Sequence, residues 1–129
     1  MPRARVLALA ALFVLAPLAV RADSSADEAE ARFQRGAQLY KQQRYEEALL
    51  EFFASNRLVP NRNVVFNIAR TYEALARYDQ AYSYYIEYLV PEVDPRERAL
   101  AEERLVVLRP QVALLRVITE PAGPGLPSG

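Results

Sequence analysis

The sequence predicts an all-α protein made of antiparallel helix-turn-helix pairs, and three observations carry that prediction. Apolar or small residues recur three and four positions apart, rather than two apart, through most of residues 29–89. The pattern then returns on itself with a period of 33 residues. Finally, Asp94-Pro95-Arg96-Glu97 is a helix-start signature placed just past the second copy.

The first 22 residues read as a segment apart. Arg3 and Arg5 precede Val6 to Val20, fifteen residues without a charge, and the chain turns abruptly polar from Asp23. A membrane-spanning helix needs about 20 apolar residues, so this run is short, and Pro17 interrupts it. The layout is that of an export signal, with the small residues Val20 and Ala22 at positions −3 and −1 of a cleavage point before Asp23. Export to the periplasm is expected, the alternative being an uncleaved anchor that holds residues 6–20 in the inner membrane. Lipid attachment through an N-terminal cysteine is excluded, because the chain has no Cys.

Two helix pairs follow, over residues 23–93. Tyr45-Glu46-Glu47-Ala48 returns as Tyr78-Asp79-Gln80-Ala81, Phe52 as Tyr85, Gly36 as Ala69 and Arg44 as Arg77. Pro60 and Pro91 close the two units. In the first unit one helix presents Ala29, Phe33, Gly36, Ala37 and Tyr40, and its partner presents Tyr45, Ala48, Leu49, Phe52 and Val59. In the second, the sets are Val65, Ile68, Ala69, Tyr72 and Leu75, then Tyr78, Ala81, Tyr82, Tyr85 and Leu89. The connections (Gln42-Gln43-Arg44 and Ala76-Arg77) are too short for anything but antiparallel neighbours. Small residues at Gly36, Ala48, Ala69 and Ala81 let backbones approach, and aromatics fill the space around them. The tyrosines at 78, 82, 84, 85 and 88 are expected in the core, with Tyr84, off the stripe, the most exposed.

A capping helix is expected over residues 94–109. Asp94 serves as N-cap, Pro95 as first helical residue, and Glu97 returns a hydrogen bond to the cap. Its apolar stripe, Ala101, Leu105 and Leu108, is narrow and lies beside charged residues, as an end helix requires. After Pro110 the β-formers of residues 111–119 (QVALLRVIT) predict a strand, and residues 120–129, with three Pro and three Gly, a disordered tail.

Small-large alternation at this spacing resembles the tetratricopeptide (TPR) repeat, over roughly Ala29 to Pro91. The matching positions are Gly36, Ala48, Phe52 and Pro60, then Ala69, Ala81, Tyr85 and Pro91. Arg32 and Val65 stand where the family often has Trp, Ser55 and Tyr88 replace a usual Ala, and the period is 33 rather than about 34 residues. The resemblance implies a TPR-like α-solenoid whose concave groove is lined by the first helix of each repeat. It places Phe33, Ala37, Tyr40 and Lys41 beside Asn63, Phe66, Asn67, Arg70 and Glu73 as candidate partner-binding residues. An apolar floor with one Arg and two amides suits an extended peptide or a partner helix. The alternative for Phe33 and Phe66 is packing against a further helix. The family's carboxylate-clamp form is not implied, since Phe33 and Ala37 occupy positions where it has basic and amide residues and Asn67 alone fits. Residues 115–123 (LRVITEPAG) are similar to the opening of a PEGA domain, a small exported β module, which implies that residues 110–129 begin such a domain, the alternative being an incidental hydrophobic tail.

Composition bounds the function. Hydrophobic residues make up 52% and charged residues 25%, a globular balance. With neither Cys nor His, the chain has no thiolate nucleophile, no imidazole to move protons near neutral pH, and no N/S ligand set for zinc. Gly occurs at 36, 123, 125 and 129, which leaves no phosphate-binding loop, and Glu46-Glu47 and Glu102-Glu103 read as solvated helix faces. No enzyme activity and no cofactor are expected. Loss of Arg3, Arg5 and Arg21 with residues 1–22 takes the 16 basic residues to 13 against 16 acidic ones, a net charge of −3, so nucleic-acid binding is not expected. The expected partner is a protein or peptide, the expected role an interaction scaffold, and the alternative a homo-oligomerising structural module.

Overall fold

The computed structural model describes residues 16–119 and is all-helical there. Five helices follow one another: α1 (Ala16–Lys41), α2 (Tyr45–Leu58), α3 (Arg62–Ala74), α4 (Tyr78–Leu89) and α5 (Pro95–Thr119). Each packs chiefly on its neighbours in sequence. Ser55 Oγ donates to the Ala29 carbonyl at 2.8 Å and Arg32 meets Glu51 at 3.4 Å, so α1 and α2 run antiparallel. The predicted cleavage point before Asp23 lies inside α1. Most of the predicted signal segment, residues 1–15, and the predicted disordered tail, 120–129, lie outside the described residues. No helix among the described residues is long and apolar enough to cross a membrane.

The 33-residue repeat is written most clearly in the turns. At the end of α1, Arg44 N–H donates to Leu39 O and Gln43 N–H to Tyr40 O; at the end of α3, Arg77 donates to Tyr72 and Ala76 to Glu73. Both are Schellman closures, in which a left-handed residue after the helix lets two successive amides satisfy its last carbonyls. That residue is Gln43 (φ 61°) in one unit and Ala76 (φ 57°) in the other. The helix starts repeat as well. Asn61 Oδ1 accepts from Asn63 N–H at 2.8 Å, and 33 residues on Asp94 Oδ1 accepts from Arg96 N–H at 2.9 Å.

Two apolar clusters form the core. The first gathers Ala48, Leu49, Phe52, Val64 and Ile68 between α1, α2 and α3. The second gathers Val65, Ala69, Ala81, Tyr85, Tyr88, Val93, Ala101, Leu105 and Leu108 between α3, α4 and α5. Ala48, Ala69 and Ala81 have no exposed surface, as their role in close helix approach requires. Gly36 carries that role furthest: a Cβ built there would lie 2.7 Å from Phe52 Cδ1 and Cε1. Tyr84 is not the exposed member of the tyrosine cluster. It is half-buried, its ring stacked on Tyr72 at 5.6 Å and 6.0 Å from Phe53, because the α2/α4 contact reaches beyond the predicted stripe. Val59 is also displaced, ending α2 as an exposed, extended C-cap.

The strand predicted for residues 111–119 is not formed, and the capping helix does not stop at 109. Residues 111–119 continue α5 through Pro110. An isolated strand leaves its backbone N–H and C=O groups unpaired, whereas a helix satisfies them locally. The buried stripe also crosses the proline, for Val112 follows Leu108 at the four-residue step that joins Ala101 to Leu105. Pro110 and Val106 are both exposed, so the carbonyl that loses its donor opens to solvent. The PEGA-like opening therefore has no first strand, and its residues 120–123 lie outside the described part. The cap of α5 differs in one detail. Glu97 does not return to Asp94; it accepts from Arg62 Nη2 at 3.1 Å and Tyr88 Oη at 3.2 Å. Together with the Arg62 bond to Glu92 O at 2.8 Å, these tie α5 to the starts of α3 and the end of α4.

Candidate functional site

An open cavity of about 520 Å³ lies among the first helices of the successive units and is lined by Tyr40 of α1, Phe66, Arg70, Glu73 and Ala74 of α3, Tyr85 of α4, and Leu100 and Arg104 of α5. The 3.6-residue period explains the α3 set, since 66, 70, 73 and 74 share one helix face. Its floor is aromatic. Phe66 meets Tyr85 edge-on at 5.6 Å and Tyr88 at 5.1 Å.

Charge in the cavity is unevenly satisfied. Glu73 is held on two sides, by Tyr85 Oη at 2.9 Å and by an ion pair with Arg104, whose Nε lies 3.3 Å away. Arg70 is exposed and has no ion-pair partner among the described residues; its guanidinium lies over the Tyr40 ring at 5.2 Å. The cavity thus carries one uncompensated positive charge against an aromatic wall. Burial pushes the Tyr85 hydroxyl up to about 12, with the Arg70 charge opposing that rise, so Tyr85 is a neutral donor to Glu73 at physiological pH. Burial likewise raises Tyr84, and raises Tyr88 with help from the Glu97 carboxylate. Among the described residues no group of acidic side chains is arranged to hold a metal ion.

Of the nine predicted groove residues, Tyr40, Phe66, Arg70 and Glu73 line this cavity. Phe33 and Asn63 instead line a second, smaller depression of about 200 Å³ with Ala26, Ala29, Glu30, Ser55 and Val59. The Asn67 amide is spent within α3, donating to Asn63 O at 2.8 Å. Ala37 is partly covered and Lys41 exposed, and neither lines the cavity. Both Phe33 and Phe66 pack on the second helix of their own unit, Phe33 lying 5.8 Å from Phe52. Sequence reasoning missed Ala74, Tyr85, Leu100 and Arg104. A signal for Leu100 was present: it stands 33 residues after Asn67, where a third copy of the α3 face falls. The sequence matches no family model, and no curated protein matches it.

Proposed function

We propose that the chain is an exported, non-catalytic scaffold of tetratricopeptide type that binds a segment of a partner protein in the cavity between α1, α3 and α5. The observation that carries this reading is Arg70, a cation without an ion-pair partner among the described residues, lying on Tyr40 beside an aromatic-floored cavity. Aromatic and Arg side chains at the centre of a concave surface are the groups that contribute most to protein recognition. An extended peptide or a helix with one acidic and several apolar residues satisfies both features. The repeated turns at Gln43 and Ala76 and the repeated caps at Asn61 and Asp94 support the repeat-type reading. Recovery of partners from periplasmic extract by the wild type and by Arg70→Glu tests the site. Loss of a partner with the variant is expected, and equal recovery by both contradicts the proposal.

A homo-oligomeric structural role is the second reading, and α5 favours it. Leu100, Val107, Leu114 and Ile118 are each about half exposed or more and share one helix face. Light scattering on dilution separates the two: a monomer at every concentration removes the second reading.

A further inference from the structure

The helix α1 runs without a break through residues whose chemistry belongs to a helix beginning. Asp23-Ser24-Ser25-Ala26-Asp27-Glu28 holds two serines and two aspartates, residues disfavoured in helix interiors and favoured at starts. Ser25 and Glu28 stand in capping-box spacing, the serine three residues before the glutamate. Asp23 and Asp27 form a like-charged pair four residues apart inside the helix. Residues 22–24 and 26–28 are exposed, and Ala29 is buried.

We infer that the bond between Ala22 and Asp23 is a proteolytic processing site whose cleavage turns residues 23–28 from a poor helix interior into a built N-terminus for α1, with Ser25 as N-cap and Glu28 closing the box. The inference rests on the export reading given above. Cleavage hydrolyses one peptide bond, water supplying the hydroxyl to the Ala22 carboxyl and the hydrogen to the Asp23 amine. Ala22, the last residue removed, is exposed. Asp27 and Glu28 then occupy the first turn, where the exposed amides and the helix dipole favour carboxylates. Peptidases bind extended backbone, so processing precedes closure of α1 across residue 22, and the cap that forms afterwards fixes where the helix starts.

The test uses the full gene in an export-competent host, with Ala22→Arg as an uncleaved comparator held in the same mild detergent. Mass and N-terminal sequencing are expected to show a product beginning at Asp23, and an intact chain for Ala22→Arg. Ser25→Ala is expected to lower the Tm of the processed protein by about 4–8 °C and to lower that of the uncleaved protein by less. An exported product that retains residues 1–22 overturns the processing site together with the export reading. Correct processing with equal Tm shifts in both backgrounds, or with none in either, overturns the cap and leaves export standing.

Discussion

Gly36 offers a test of packing in which two known effects oppose each other. In an exposed helix interior, replacing Gly by Ala stabilises by about 1 kcal/mol, because Gly loses more backbone freedom on folding. At position 36 the added methyl would sit 2.7 Å from two carbons of the Phe52 ring. That ring is fully buried and backed by Phe33, so it has little room to withdraw. Overpacking of this kind costs about 1–3 kcal/mol, which leaves Gly36→Ala net destabilising by roughly 1 kcal/mol, or about 4–8 °C in Tm. In a Phe52→Ala background both contacted ring carbons are gone, and the same substitution should become stabilising by about 1 kcal/mol. Urea unfolding of the four chains measures a coupling of roughly 2 kcal/mol. If Gly36→Ala raises stability in the wild-type background, the close approach of α1 and α2 that organises the first unit is refuted. The equivalent residue 33 positions on is Ala69, fully buried near Tyr85, so Ala69→Gly should destabilise where a return to the Gly36 pattern predicts tolerance.

Three further outcomes follow from the geometry. Gln43→Gly and Ala76→Gly, each relieving a left-handed backbone at no cost in contacts beyond the turn, should each stabilise by about 0.5–1 kcal/mol in urea unfolding, and a loss at either site contradicts the Schellman assignment. Tyr85 keeps its proton to about pH 12 in the folded chain against about 10 when unfolded, so its contribution is intact below pH 10 and declines as pH rises to 12, by about 2–3 kcal/mol in all. Tyr85→Phe should remove that part of the alkaline destabilisation, which melts at pH 9.5 and 11.5 would reveal. Glu73→Ala strands both Arg104 and the Tyr85 hydroxyl and should cost roughly 1–3 kcal/mol in urea unfolding, an unchanged midpoint counting against the cavity network.

The repeated part of the fold was legible because its signals are local and occur twice. Tyr45 and Tyr78 begin helices at equivalent places, and Arg44 and Arg77 occupy equivalent turn positions. Their side chains nevertheless do different things. Arg44 pairs with Glu47 three residues on, whereas Arg77 meets Gln80 at that spacing and reaches instead to Glu46 of the first unit. That cross-unit bond is invisible to a reading made one unit at a time. Residues 111–119 were misread because β propensity describes a half-buried pleated surface, and no second strand supplies one here. The candidate cavity was legible as far as α3 extends, through Phe66, Arg70 and Glu73. Its far wall was not, because Leu100 and Arg104 enter it from a helix read only as a cap, and because Tyr85 serves core and cavity together.

Photo-crosslinking of the chain in an export-competent host tests the proposed recognition site most directly. Leu100 lines the cavity and is 49% exposed, while Leu50 is 70% exposed and belongs to a separate depression on α1 and α2. A crosslinking residue at 100 should give a discrete adduct that disappears with Arg70→Glu, and one at 50 should give none of that mass. The same adduct from both positions, or an adduct at 100 that survives Arg70→Glu, contradicts a partner held between α1, α3 and α5.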